Sequence, residues 1–153
     1  MKKILLPVDN SKGARASVQT CVRLFGSRPA VSVLLLHVLQ PGGKSLLHDR
    51  ISDPELATLR RQLEASGKME ELERDTLKIL DTHKKLLRKN RWSRISTLMR
   101  FGHVADEIVK AATEQKADLI IIGSSRTLLQ KLLMGDVVRE VAANAKVPVL
   151  IAR

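Results

Sequence analysis

The segment from Val31 to Leu39 constrains this chain most: it is apolar, β-branched at its start, and carries no polar alternation across Leu34, Leu35 and Leu36. A strand with one wet face alternates, because successive side chains point to opposite sides of the sheet. A run without alternation therefore needs apolar cover on both faces, which is the condition of a parallel sheet flanked by crossover helices. Four other short apolar runs fit the same sheet: Lys2 to Val8, Ile95 to Phe101, Leu119 to Ile122, and Val147 to Ile151.

Between these runs the apolar spacing is helical. Ser11 to Gly26 carries the stripe Ala14, Val18, Cys21, Val22, Phe25 and stops at a glycine. Asp53-Pro54-Glu55 opens a helix with a cap, a first-turn proline and an acid, and Leu56, Leu59 and Leu63 line it as far as Ser66-Gly67. A second run continues from Met69 to Leu87, and Val104 to Gln115 turns Ile108, Ala111 and Ala112 inward. A last helix falls between Gly135 and Val147. The order is β-α-β-α-β-α-β-α-β: an α/β fold with a single open, mostly parallel five-stranded sheet, helices on both faces and right-handed crossovers. Periodicity does not give the strand order. The ~50-residue connection from Gly42 to Arg91 is long for a crossover, so part of it is expected over the sheet's rim as a flexible lid.

At 153 residues and 44% apolar composition, the chain is read as one globular domain over residues 1–153. No segment approaches the ~20 apolar residues of a membrane span, and Met1-Lys2-Lys3 leads straight into a strand without a signal core. The single cysteine excludes a disulfide framework; Cys21 lies on an apolar stripe and reads as core filler in a reduced, cytoplasmic protein.

Two motifs carry a family likeness. The first strand runs into Pro7-Val8-Asp9-Asn10-Ser11, and the fourth runs into a loop bounded by Gly123 and Gly135. With Gly102-His103-Val104-Ala105-Asp106-Glu107-Ile108 between them, the chain from Ile4 to Ala152 resembles the universal stress protein family. The resemblance implies a Rossmann-like, adenine nucleotide alpha hydrolase-like sheet of order 3-2-1-4-5, with a nucleotide crevice between strands 1 and 4. It makes Pro7, Val8 and Asp9 the adenine turn, Val38 an apolar contact to the base, and Gly123, Ser124, Arg126, Gly135, Asp136 and Val137 the phosphate loop. It also implies a homodimer through the last strand, 147–151. An apolar edge strand there needs cover in any case.

The loop departs from the family pattern G-x-x-G-x9-G-[ST]. The interval from Gly123 to Gly135 is one residue short, the middle glycine is missing, and Leu128 stands where a glycine commonly follows Thr127's position. Loop glycines let backbone amides close on phosphate oxygens. Asp136 replaces the hydroxyl residue after the last glycine. A carboxylate there can cap the following helix itself. Set ~5 Å from a phosphate charge at an effective dielectric near 20, it costs roughly 3 kcal/mol, about two decades of affinity. The expectation is a degenerate adenine-nucleotide crevice without tight ATP binding. One alternative is an ATP-binding member that tolerates the altered loop; a second is a basic anion- or nucleic-acid-binding protein.

Other chemistry finds little support. His37, His48, His83 and His103 have no metal-ligand spacing, so no metal site is expected. Ser124 and Ser125 lack a nucleophile elbow, and an enzyme is not expected beyond weak ATPase activity. The net charge of +11 favours anionic partners. Lys84, Lys85, Arg88, Lys89, Arg91, Arg94 and Arg100 follow one another with no acid between them and with Trp92 among them. This run at 84–100 is a candidate surface for an acidic partner or single-stranded nucleic acid. The plainer account is a solvated helix end, with Trp92 at the edge of the core.

Overall fold

The computed structural model describes residues 1–26, 30–40, 51–124 and 137–153. Its elements in chain order are β1 (Lys3–Pro7), α1 (Lys12–Phe25), β2 (Ser32–Leu39), α2 (Asp53–Ala65), α3 (Lys68–Lys89), β3 (Ile95–Phe101), α4 (Val104–Glu114), β4 (Leu119–Gly123), α5 (Val137–Asn144) and β5 (Val149–Ala152). The sheet order is β3-β2-β1-β4-β5, with parallel pairing throughout. The order 3-2-1-4-5 is therefore observed.

The unalternating run behaves as its composition requires. Leu35 is fully buried in a cluster with Ile4, Val18, Cys21, Leu80 and Leu87, beneath α1 and α3. Leu36 is equally buried on the opposite face, with Leu5, Ile108, Ala111, Ile120 and Val141, beneath α4 and α5. Each such side chain contributes about 1.5–3 kcal/mol by leaving water. Cys21 is filler: burial pushes its thiol up to about 12, so it carries no thiolate at neutral pH.

Two details correct the sequence reading. β5 begins at Val149, two residues later than expected; Pro148 before it has no N–H, and its carbonyl accepts from Ile120 at 3.0 Å. Within the long β2–β3 connection α3 belongs to the core, with Met69, Thr76, Leu80, His83 and Leu87 buried. α2 buries no residue fully, and the lid expected over the rim falls partly on residues 41–50, which lie outside the described residues. The two helices are separated by Gly67 at φ 74°, a left-handed position that suits glycine. Among the described residues, no helix is long and apolar enough to cross a membrane.

Candidate functional site

β1 and β4 are neighbours, and the connections leaving their C-terminal ends go to opposite faces of the sheet, α1 to one and α5 to the other. Open α/β sheets place their ligand crevice where neighbouring strands diverge in this way. On the β1 side the chain is held residue by residue. Val8 donates its N–H to the Leu36 carbonyl at 2.8 Å, and its own carbonyl accepts from His37 Nδ1 at 2.7 Å. Both backbone groups of Val8 are thus engaged, leaving one carbonyl lone pair. Asp9 is exposed; its Oδ1 accepts from the Ser11 N–H at 2.8 Å, and its carbonyl accepts from His83 Nε2 at 2.9 Å. No described residue bonds its second carboxylate oxygen. Ser11 then caps α1, its Oγ accepting from the Ala14 N–H at 3.1 Å.

Sequence reasoning missed the two histidines. His37 reaches from β2 and His83 from α3, so successive carbonyls of the β1–α1 turn are each fixed by an imidazole from another element. His83 is buried, and its Nδ1 has no hydrogen-bond partner among the described residues. Its place on the Ile79, Leu80, Leu86, Leu87 stripe was the available signal, because a buried imidazole needs a polar partner. A third ring, His103 at the start of α4, donates to the Ile51 carbonyl at 2.9 Å and anchors the segment entering α2. Among the described residues, no three His, Cys, Asp or Glu side chains converge as metal ligands.

On the β4 side, Gly123 lies against the first turn of α1. A Cβ on Gly123 would stand 1.8 Å from the Gly13 carbonyl oxygen and 2.1 Å from its carbon. The contact is backbone on backbone, and it fixes α1, and with it the Asp9 turn, beside the exit of β4. Ser124 follows, its N–H donating to the Ala152 carbonyl of β5 at 2.8 Å. Pro7 is half-buried. Val137 opens α5 half-buried, packed against the core beneath α4 and α5. Val38 is buried in that same core, on the sheet face opposite Val8. The fold thus brings Val8, Asp9, Gly123 and Ser124 to one rim and commits Val38's side chain to the core. Arg126, Gly135 and Asp136 lie outside the described residues, as do Thr127, Leu128 and His48.

The chain matches the model of the universal stress protein family over residues 1–153. Universal stress protein G of Shigella flexneri is 32% identical over 153 residues, covering 99% of each chain. A universal stress protein of Methanocaldococcus jannaschii is 28% identical over 167 residues, covering 99% of this chain and 94% of the relative; its solved structure superposes with a TM-score of 0.69. A universal stress protein of Archaeoglobus fulgidus, solved in complex with dAMP, is 20% identical with a TM-score of 0.64, covering 100% of this chain and 98% of that one. With the 3-2-1-4-5 sheet and the capped turn after β1 already established, these matches lead to one conclusion: the chain belongs to the universal stress protein family.

Proposed function

We propose that this chain is a non-enzymatic binding module whose crevice takes the adenosine part of an adenine nucleotide and grips a triphosphate poorly. The observation that carries this reading is the β1–α1 turn. Asp9 is exposed on a turn fixed by His37, His83 and the Ser11 cap, with one carboxylate oxygen free of described partners. A preorganised carboxylate accepts well from an exocyclic amine, because nothing must be ordered on binding. The Archaeoglobus relative in complex with dAMP supports the ligand class. The sequence of the loop supports the weak hold on phosphates: it lacks its middle glycine and carries Asp136 at a helix start. The working unit is a homodimer joined through β5, an edge strand whose Ile151 is 46% exposed.

Calorimetric titration with adenosine, AMP and ATP, on wild type and on Asp136→Ser, tests the reading. Wild type is expected to bind adenosine and AMP and to bind ATP no more tightly than AMP. Asp136→Ser should raise ATP affinity by up to about a hundredfold and leave adenosine unchanged. ATP binding to wild type well above AMP would establish the alternative, an ATP-binding member tolerant of the altered loop. No binding of any of the three would sink the proposal.

A further inference from the structure

In a parallel sheet with crossover helices, every helix-to-strand turn lies at the same end, opposite the crevice. In this chain that end carries a row of exposed cations. The α3–β3 turn holds Lys89, Arg91 and Arg94, the α4–β4 turn Lys116, the α5–β5 turn Lys146, and Lys2 stands at the entry to β1; all are exposed. None of them is in an ion pair among the described residues. Hydrogen bonds fix their neighbourhood: the Arg94 carbonyl accepts from Val33, the Lys2 carbonyl from Ser32, and the Lys3 carbonyl from Asp118. The array therefore follows the strand starts from β3 to β5, about 19 Å at ~4.8 Å per strand.

The run 84–100 is not one surface. Lys85 is paired with Asp81 at 2.7 Å, and Arg100 with Glu114. Trp92 is buried in the core beneath α1 and α3, which removes the one aromatic available for stacking. The array instead recruits Lys2, Lys116 and Lys146, which no reading of contiguous sequence would join to it. One acid stands among these cations: Asp118, at the start of β4, stays ionised, its Oδ2 accepting from the backbone N–H groups of Lys2 and Lys3 at 2.7 and 2.8 Å, which with smaller help from the amino terminus and the Lys2 charge holds its carboxyl below the usual range.

Helix dipoles attract basic residues to helix C-termini. That accounts for Lys89 in the last turn of α3, but not for Lys2 and Arg94 at strand starts, where the net dipole is small. The backbone supplies an independent sign. Among the described residues, the two non-glycine residues with positive φ are Arg91 at 65° and Lys116 at 52°, each just past the cap of a helix ending at this face. Glycine is the ordinary occupant of that position, and a side chain there is strained by roughly 1 kcal/mol or more. Both strained positions hold a long cation, and both point to the same end of the molecule.

We propose that this end binds the phosphodiester backbone of nucleic acid without reading its sequence. Three features favour nucleic acid over a lipid surface. The cations form a spaced row rather than a single pocket, two of the α3–β3 cations are arginines suited to bidentate phosphate contacts, and among the described residues no amphipathic helix lies along the face.

The test is anisotropy titration of a labelled mixed-sequence DNA duplex with the full chain, from 50 to 300 mM KCl, both concentrations set by the salt range over which such binding changes by about 10³-fold or more. Wild type should bind with log K falling steeply against log [KCl], by about 0.9 per phosphate contact. Arg91→Gly/Lys116→Gly relieves the strained positions, so its thermal midpoint should equal or exceed that of wild type while the salt slope shrinks by about 2. Lys68→Gln/Arg74→Gln removes the same charge from the other end of α3 and should leave the slope unchanged. An equal loss in both pairs would reduce the effect to net charge and overturn the proposal. Absence of salt-dependent binding would do the same, as would tighter binding to phosphatidylserine vesicles than to the duplex.

Discussion

Asp9 has two separable roles. Its Oδ1 closes the turn onto Ser11, and its exposed carboxylate faces the crevice end of the sheet. An asparagine oxygen can accept the same Ser11 N–H, so Asp9→Asn should cost only a few tenths of a kcal/mol of stability. Its neutral amide is a weaker acceptor, and adenine nucleotides should lose roughly tenfold in affinity by calorimetry. A drop of several degrees in melting temperature with unchanged ligand affinity would make Asp9 a purely structural residue. At this scale the sequence was only partly legible. Asp9, Ser11 and Gly123 announce themselves as turn, cap and loop glycine. The His83 contact joins positions 74 residues apart, and spacing along one helix cannot reveal a partner on a distant turn.

Element types were legible because each depends on local chemistry: the unalternating β2, the glycine closing α1, the Asp53-Pro54-Glu55 opening of α2. Neighbour relations were not, since periodicity reports which face a residue takes and not which strand lies beside it. The helix α2 shows what local chemistry alone can hold. It buries no residue fully, yet it has a complete capping box: Ser52 Oγ accepts from the Glu55 N–H, and Glu55 Oε2 accepts from the Ser52 N–H at 2.8 Å. The Ser52 hydroxyl and backbone bonds also hold the Glu55 carboxyl below its usual range. Arg60 over the Phe101 ring, 5.6 Å from its centroid, ties the helix to the end of β3. With so little burial, Ser52→Ala should release about 1 kcal/mol locally. Amide exchange over residues 53–65 should quicken roughly fivefold while the global melting temperature barely moves. Equal acceleration throughout α3 would instead mean that the two helices open together.

For the whole molecule, β5 is an edge strand like β3 at the other side, and a strand paired on one side only among the described residues presents backbone groups and Ile151 to any similar edge. A two-fold pairing of that edge predicts a dimer in light scattering at micromolar concentration and a monomer for Ile151→Lys, with the fold intact in both. A wild-type monomer would remove the dimer from the functional reading. The close approach of α1 to β4 bears on how this protein would answer a saturation scan. Gly123→Ala forces a methyl into the Gly13 backbone, at or beyond the upper end of the ~1–3 kcal/mol typical of overpacking. A screen for folded protein alone, with no nucleotide present, should therefore reject every side chain at 123. Intolerance there would be a record of two backbones in contact, and a lineage that had lost its ligand would keep the glycine all the same.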